Sequence, residues 1–238
     1  MGIHFALIAA GEGSRLRQEG VQSPKPLVRI HGEGLMQRLL RIFMQLGAES
    51  VSIIVNEQMK EVHEMLSNVH LPVPLNLVIK STPDSFHSFL ELYPFLKGKG
   101  RFCLTTVDPI FKEREFQDYI RTFQSSSCNA LMGVTDYVDD EKPLYLETYP
   151  DSLRVKDYHN SYQPGLKYIS AGVYCMDQKA LELLPKADSE GIVRMRGFQR
   201  YLVQNNLDVE AYPFSKVIDI DHKEDILKAE EMLRDTED

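Results

Sequence analysis

The chain alternates short apolar segments rich in β-branched residues with longer segments whose apolar residues recur at helical spacing. Segments of the first kind predict buried strands, and those of the second kind predict helices that pack against them. Strands that alternate with helical crossovers are typical of an α/β fold with a largely parallel sheet. Since no repeat, low-complexity tract or linker interrupts the pattern, we predict a single domain over residues 1–238.

The predicted strands are short, and helices separate most of those in the first half of the chain. Their ranges are 3–10, 51–55, 75–79, 102–107, 130–134, 144–147, 153–155, 168–175 and 209–212. The predicted helices are 35–46, 57–66, 86–96, 113–123, 178–184, 195–204 and 224–234. From about residue 135 to residue 175 the pattern is less regular and richer in Tyr, Asp and Pro, which predicts a lobe that faces a substrate.

The net charge of the chain is −8, from 27 Lys and Arg against 35 Asp and Glu. Sequence-independent nucleic-acid binding depends on neutralising phosphates with many cations, so this balance argues against a nucleic-acid partner. No run reaches the roughly 18 apolar residues that a membrane helix needs, and the N-terminal apolar run is too short and too weakly basic for a signal peptide. We therefore expect a cytoplasmic protein in which any nucleotide contact is a local site and not a charged surface.

A glycine-containing turn, residues 11–15, follows the first predicted strand, and the segment 24–27 (Pro-Lys-Pro-Leu) comes soon after it. Backbone N–H groups of such a turn can approach phosphate oxygens closely. Arg15 can bind two phosphate oxygens at once, and Lys25 adds a compact positive charge in a segment that its flanking prolines hold extended. Two cations after one glycine turn suit a triphosphate.

Two other phosphate-binding motifs do not fit this turn. The dinucleotide-binding fingerprint requires Gly or Ala at position 16, where this chain has Leu16. The P-loop requires Gly-Lys-Ser/Thr, and no segment matches it. The remaining alternative is a tight turn beside which Arg15 and Lys25 are merely solvated charges.

Acidic residues follow two predicted strands or extended segments. Asp108 comes directly after the strand 102–107, at the edge where α/β proteins build their sites, and carboxylates are apt ligands for Mg²⁺. Alternatively, such an Asp caps a helix or starts a turn. In the segment 217–221, Asp219 and Asp221 point to the same side, so one of them can complete a metal site with Asp108. Asp221 can instead, or in addition, cap the last helix.

The stretches 7–16 and 24–27 together resemble the signature of the sugar-phosphate nucleotidyltransferases. The resemblance implies a compact α/β enzyme of the glycosyltransferase-A-like fold, a three-layer sandwich around a mostly parallel sheet of the nucleotide-diphospho-sugar transferase type. It implies that the glycine turn and its arginine hold the triphosphate and that the lysine contacts the phosphate at the reacting centre. These roles are carried onto residues Ala10, Gly11, Gly13, Ser14, Arg15 and Lys25.

Weaker matches extend this resemblance along the chain. Asp108 stands where the family has a metal-binding Asp, usually after Gly, although Val107 precedes it here. The segment 217–221 resembles the family's late acidic element, which favours Asp219 over Asp221 as the second metal ligand.

Two further matches concern the base and the sugar. Residues 80–85 resemble the base-recognition loop, with Lys80 and Ser85 where Gln and Gly are usual. The segment 168–174 resembles the strand that lines the sugar pocket, where Gly172 permits close approach of substrate. The alternative for Gly172 is a plain glycine in a strand or bulge.

The resemblance implies an Mg²⁺-dependent enzyme that transfers a nucleoside monophosphate from a triphosphate to a sugar 1-phosphate and releases pyrophosphate. A cytidylyltransferase acting on phosphocholine or another small phosphate is the nearest alternative. A non-catalytic nucleotide-sugar sensor and a glycosyltransferase are alternatives of other classes. The base, the acceptor and the oligomeric state are not indicated by the sequence.

Overall fold

A nine-stranded sheet forms the frame of the protein, which a computed structural model describes over residues 2–234. The strands are β1 (Ile3–Ala9), β2 (Arg29–Ile30), β3 (Glu33–Gly34), β4 (Ala48–Val55), β5 (Leu75–Ile79), β6 (Phe102–Thr106), β7 (Pro109–Ile110), β8 (Ala130–Thr135), β9 (Tyr145–Thr148), β10 (Val155–His159), β11 (Tyr168–Met176), β12 (Val209–Phe214) and β13 (Ile218–Asp219). The helices are α1 (Ser14–Gln18), α2 (Leu35–Gln45), α3 (Lys60–Ser67), α4 (Ser85–Leu96), α5 (Glu113–Ser125), α6 (Gln178–Glu182), α7 (Leu184–Ser189), α8 (Arg194–Gln204) and α9 (Lys223–Arg234).

Strand β1 lies inside the parallel part of the sheet, in the order β6-β1-β4-β5. A second parallel pair, β8 and β12, lies on the other side of β11. Strand β11 joins the two parts and runs antiparallel to both β6 and β8. The predicted α/β fold around a mostly parallel sheet is confirmed. The apolar pattern of β11 does not encode its direction, because a buried strand reads the same in either orientation.

Helices cover both faces of this sheet, as the predicted three-layer sandwich requires. Alternate residues of β1 enter two different cores: Phe5 and Leu7 pack on one face, and Ala6 and Ile8 on the other. The first core includes buried side chains from α2, α3, α5 and α9, and the second includes side chains from α4, α6, α7 and α8. The sheet therefore lies between two helical layers.

Several element boundaries differ from the sequence-based prediction. The strand predicted at 153–155 is β10, and it begins only at Val155. The helix predicted at 178–184 is two short helices, α6 and α7, with a proline in the first turn of the second. Helix α1 was not predicted, since its one turn is too short to show helical spacing.

The irregular lobe predicted at 135–175 consists largely of the hairpin β9–β10 and of β11, which pair within the main sheet. The single-domain prediction over 1–238 stays a prediction, and residues 1 and 235–238 lie outside the described part of the chain. None of the helices within residues 2–234 is both long enough and apolar enough to cross a membrane.

Candidate active site

The strands β1, β4 and β6 end at the same edge of the sheet, and a cleft of about 590 Å³ opens there. Parallel strands place their carboxyl ends together, which is why residues distant in sequence meet at this edge. The predicted site residues that line the cleft are Ala10, Gly11, Gly13, Ser14, Arg15, Lys25, Ser85, Asp108 and Asp221. The structure thus brings most of the predicted nucleotide site into one cavity.

Gly13 forms the tight part of the turn after β1. Its φ of +60° lies in the left-handed region, which favours glycine, and α1 begins at the next residue, Ser14. A Cβ at this position would lie 3.1 Å from the Cβ of Lys25. The glycine therefore permits both the turn and the close approach of the lysine segment.

Lys25 is nearly buried at the floor of the cleft, with 7% of its surface exposed. It begins a short 3₁₀ turn, Lys25–Leu27, directly after Pro24. Its Nζ lies 2.7 Å from Oδ2 of Asp108 and 2.6 Å from Oδ1 of Asp221. Burial alone lowers the pKa of Lys25, but the carboxylates of Asp108 and Asp221 outweigh it and raise the pKa above its usual range. Lys25 is therefore a fixed positive charge.

Arg15 lies beside Lys25 at the mouth of the cleft. Its Nη1 is 2.8 Å from Oδ2 of Asp221, and its Nη2 is 3.1 Å from Oε2 of Glu141. Asp221 thus joins the two cations, and opposite charges alternate from Glu141 through Arg15, Asp221 and Lys25 to Asp108. We call this set the ion-pair chain. Its two cations are placed to receive phosphate oxygens in exchange for their carboxylate partners.

Asp108 and Asp219 are brought together by a small antiparallel ribbon of β7 and β13, in which Asp219 pairs with Pro109. The backbone N–H of Ile220 donates to the carbonyl oxygen of Asp108 at 3.1 Å. Burial raises the pKa of Asp108, but the Lys25 ammonium and hydrogen bonds from Lys25 and Thr106 outweigh it and lower the pKa.

The surroundings of Asp219 shift its pKa in the opposite direction from the pKa of Asp108. Burial and the neighbouring Asp108 carboxylate raise the pKa of Asp219 well above its usual range. Its Oδ1 is buried and accepts no hydrogen bond from any group within residues 2–234. A buried carboxylate oxygen without a partner is a group that a cation can satisfy.

This pair of carboxylates fits Mg²⁺, which takes one or two carboxylates and completes its shell with water and phosphate oxygens. Within residues 2–234, no group of three or more His, Cys, Asp or Glu side chains is arranged to hold a metal ion by itself. Asp108 and Asp219 are thus two carboxylates, the number that Mg²⁺ commonly takes from a protein.

The alternative that Asp221 caps the last helix is wrong. Its carboxylate is held by Arg15 and Lys25 instead. The first backbone N–H of α9, that of Lys223, donates instead to Oε2 of Glu19 at 2.6 Å, and the carboxylate of Asp225 accepts from the backbone N–H groups of Asp221 and His222 at 3.1 and 2.6 Å.

The base-recognition loop predicted at 80–85 is only partly in the cleft. Lys80 is about half exposed, pairs with Glu91 at 2.6 Å, and does not line the cavity. Ser85 does line it and begins α4, whose N-terminus is capped by Asp84. The hydroxyl of Ser85 also accepts from the backbone N–H of Met195 at 3.0 Å, which joins this loop to α8.

Gly172 lies in a second cleft of about 280 Å³, which shares Ser85, Thr106 and Asp108 with the first. The pairing of β11 with β8 shifts register between Ser170 and Tyr174, and Gly172 has a φ of +72° within this irregularity. A Cβ there would lie 2.9 Å from Oγ1 of Thr106 and 4.0 Å from Oδ1 of Asp219. Gly172 therefore lies in a bulge of β11, and close approach of a substrate there stays a prediction.

A family model described as the MobA-like NTP transferase domain matches residues 5–168. The chain belongs to this family. The resemblance to nucleotidyltransferases with a glycosyltransferase-A-like fold is thereby confirmed. The matched part of the chain contains Arg15, Lys25 and Asp108, and it ends before Asp219.

Solved structures and curated relatives are similar to this chain. The putative glucose-1-phosphate thymidylyltransferase of Bacillus anthracis has a TM-score of 0.84 at 16% identity, over 98% of this chain and 96% of that one. The inositol-1-phosphate CTP transferase of T. maritima has a TM-score of 0.79 at 19% identity, over 98% of this chain and 97% of that one. The bifunctional IPC transferase and DIPP synthase of Rubrobacter xylanophilus is 26% identical over an alignment 247 positions long, which covers 98% of this chain and 52% of that protein. The chain spans about half the length of the curated relatives it matches.

Sequence reasoning missed several residues that line the clefts. Asn56 follows β4, and its Oδ1 accepts from the hydroxyl of Ser81 at 3.2 Å. Asp108 was selected because it follows a predicted strand, and the same argument selects Asn56. Arg196 and Gln199 line the second cleft from α8, and nothing in their helical pattern distinguishes them from an ordinary polar face.

Proposed function

We propose that this chain transfers a nucleoside monophosphate from a nucleoside triphosphate to a sugar 1-phosphate, forming a nucleoside-diphosphate sugar and releasing pyrophosphate. The observation that carries the proposal is that two clefts meet at Asp108, with Lys25 on the floor of the first and Asp219 on the wall of the second. A reaction between two phosphorylated substrates requires such a meeting point. The activity of the whole protein is part of this proposal.

The triphosphate occupies the first cleft. The turn amides of residues 11–14 and the guanidinium of Arg15 bind the β- and γ-phosphates, which leave as pyrophosphate. Lys25 stabilises the negative charge that builds on the α-phosphate oxygens. These contacts replace the present pairing of Arg15 and Lys25 with Asp221, so the charges remain compensated.

Asp108 and Asp219 would hold Mg²⁺ at the junction of the clefts, and the unpartnered Oδ1 of Asp219 supports this assignment. When bound there, Mg²⁺ neutralises charge on the phosphates. Asp221 remains the alternative second ligand, although Arg15 and Lys25 hold its carboxylate.

The chemical step is an in-line displacement. An acceptor phosphate oxygen forms a bond to the α-phosphorus while the bond from that phosphorus to the α–β bridging oxygen breaks, and the electron pair leaves with pyrophosphate. Such chemistry depends on positioning and on charge neutralisation more than on covalent assistance. The protein therefore needs Arg15, Lys25 and its carboxylates in place, and no nucleophilic side chain.

A second candidate is cytidyl transfer to another small phosphate. Two similar proteins, those of T. maritima and R. xylanophilus, are named as an inositol-1-phosphate CTP transferase and an IPC transferase, and each match covers 98% of this chain. Phosphocholine is the other acceptor of this kind. The reaction at the α-phosphorus would be the same for each acceptor.

The test is release of pyrophosphate by the purified protein with Mg²⁺, a panel of nucleoside triphosphates, and glucose 1-phosphate, inositol 1-phosphate or phosphocholine. We expect release that requires one triphosphate, one acceptor and Mg²⁺ together, and that is lost in Asp219→Asn. Binding of a nucleoside-diphosphate sugar with no pyrophosphate release from any pair would instead favour the sensor. Transfer of sugar from such a compound would favour the glycosyltransferase. A cytoplasmic location, and the absence of nucleic-acid and membrane partners, stay predictions.

A further inference from the structure

Strand β5 forms one edge of the main sheet, far along the sheet from β11 and its clefts. It pairs in parallel with β4 and with no other strand within residues 2–234. Pro74 and Lys80, at the two ends of β5, both hydrogen-bond to β4 at 3.0 Å. Backbone groups alternate sides along a strand, so the odd-numbered residues between them direct their N–H and C=O groups outward. These residues are Leu75, Leu77 and Ile79.

This edge is apolar and carries no charge. Residues 65–79 contain no Asp, Glu, Lys or Arg, although 26% of the whole chain is charged. Leu75 and Leu77 are only partly buried against the core, and Ile79 is 46% exposed. Proteins commonly protect an open strand edge with charged side chains, with proline or with a covering element, because unpaired backbone groups recruit another strand. The outer side of β5 is therefore prepared for pairing.

The other edges of the sheet, β10 and β12, do have such protection. Strand β10 exposes Lys156 and Asp157 side by side. Strand β12 contains Pro213, which has no N–H to donate, and a bridge between Arg154 and Glu210 covers its beginning. The contrast singles out β5 as the edge that a further strand can join.

We propose that β5 pairs with β5 of a second copy of this chain, antiparallel and about a two-fold axis at Leu77, so that one sheet continues through a homodimer. A two-fold axis perpendicular to a sheet sets one residue opposite itself, and Leu77 is the middle one of the outward-facing residues. Leu75 then lies opposite Ile79. Each of these facing pairs can exchange two backbone hydrogen bonds, about six in all.

The composition of β5 favours a second copy over an unrelated strand, because the edge is complementary to itself. On one face of the continued sheet leucine meets leucine and isoleucine, and on the other face Asn76 lies opposite Val78. No like charges are set opposite each other, an arrangement that destabilises strand pairs. The same operation on β10 would set Lys156 or Asp157 opposite its own copy. A contact in which both partners use the same surface closes at two copies.

The first test is the mass of the purified full chain, measured by size-exclusion chromatography with light scattering. We expect a dimer, with twice the 27.3 kDa of one chain. Ile79→Lys should raise the dissociation constant of the dimer by about 100-fold or more, because the lysine is introduced twice in a symmetric pair. Ile79 lies outside the core, so circular dichroism should show a folded variant. Asp157→Lys is the matched control, since it adds the same side chain to the exposed strand β10 and should leave the dimer intact.

The second test is the register, measured by cross-linking under mild oxidation. Leu77→Cys should form a disulfide between copies, because the Cα atoms of a hydrogen-bonded antiparallel pair lie about 5.5 Å apart, within the range of a disulfide. Ile79→Cys is the control: its two copies would be offset by four positions, about 13 Å along the strand, and should stay unlinked despite their greater exposure. The native cysteines are buried, and the wild-type chain measures their background.

A monomer at every concentration up to about 100 µM would overturn the pairing of two copies and leave the edge to a strand of another protein. A dimer that Ile79→Lys does not weaken would place the interface elsewhere on the molecule and overturn the proposal as well. Cross-linking of Ile79→Cys as readily as Leu77→Cys would overturn the antiparallel register about Leu77.

Discussion

The ammonium group of Lys25 lies 2.7 Å from Oδ2 of Asp108, although these residues are 83 positions apart in the chain. The contact joins the segment after the glycine turn to the end of β6, and it lies at the boundary between the two clefts. A triphosphate that enters the first cleft must compete with this carboxylate for the lysine. The strength of the Lys25 pairing therefore bears on both catalysis and stability.

Replacing Lys25 with alanine should lower kcat about 10²- to 10³-fold, because it removes a donor placed for charge that develops on the α-phosphate. The free energy of unfolding should change less than the activation free energy, since Asp108 and Asp221 are partly exposed and can be solvated when Lys25 is lost. Steady-state kinetics measures kcat, and urea denaturation of the same preparation measures the free energy of unfolding. A near-wild-type rate in a folded Lys25→Ala protein would contradict the assignment.

Removing Glu141 should tighten nucleotide binding. Glu141 and Arg15 form an exposed ion pair at 3.1 Å, and such pairs contribute up to about 1 kcal/mol. Glu141→Gln frees the guanidinium for phosphate, so the KM for the triphosphate should fall by up to about five-fold. Arg15→Ala should instead raise this KM roughly 10- to 100-fold, because charged hydrogen bonds are lost.

Arg17→Ala is the control for Arg15→Ala. Arg17 lies on the same short helix, α1, and its one hydrogen bond from the side chain within residues 2–234 is a weak one to the carbonyl oxygen of Glu12 at 3.5 Å. Its loss should leave the KM for the triphosphate within about two-fold of the wild-type value, because substitutions at the surface usually change free energies by no more than about 0.5 kcal/mol. An equal effect of the two substitutions would show that overall charge, and not the position of Arg15, controls nucleotide binding.

Much of the lining of the first cleft could be predicted because its signals are local. Arg15 and Lys25 lie in a short motif next to a strand, and Asp108 directly follows one. Lys80 was assigned to the base loop from its position, but its side chain turns to Glu91 on α4, a contact eleven residues away that the loop sequence does not reveal.

The second cleft could not be predicted in the same way. Gln199 lies on a helix whose polar residues look solvated in the sequence, yet it is only 1% exposed. The bond between Ser170 and Gln199 joins residues 29 positions apart. Likewise, the sequence placed Asp219 and Asp221 on the same side of a segment but did not indicate that Lys25 and Arg15 bind the second of them.

Asp219→Asn should stabilise the protein when metal is absent. The pKa of Asp219 is raised in the folded state by burial and by Asp108, so the folded state binds its proton more tightly than the unfolded state. Stability therefore falls as pH rises from about 4, the unfolded pKa, toward the higher folded pKa. In EDTA at pH 7 the Asn variant should have the higher Tm, by about 2–4 °C for each kcal/mol gained in the free energy of unfolding. The difference in Tm should shrink near pH 4.

Asp108→Asn is the matched comparison, and its effect on stability should have the opposite sign. The Lys25 ammonium outweighs burial and lowers the pKa of Asp108, so the ionised carboxylate is stabilising at neutral pH and this contribution is lost as pH falls. The variant should therefore have a lower Tm than the wild type at pH 7 in EDTA. A lower Tm for Asp219→Asn as well would contradict the electrostatic difference between the two carboxylates.

Gly172→Ala should unfold more easily and lose activity, because two separate costs apply at this position. Its φ of +72° is strained for any residue with a Cβ, and that Cβ would lie 2.9 Å from Oγ1 of Thr106, beside Asp219. Gly165→Ala isolates the first cost, since Gly165 has a φ of +94° and, its chain neighbours apart, no heavy atom of the described residues lies within 4 Å of an added Cβ. Urea denaturation should show a loss of about 1–3 kcal/mol in each variant, larger in Gly172→Ala, and pyrophosphate release should fall only there. Equal losses of stability with unchanged activity would mean that the approach of β11 to Thr106 and Asp219 is not tight.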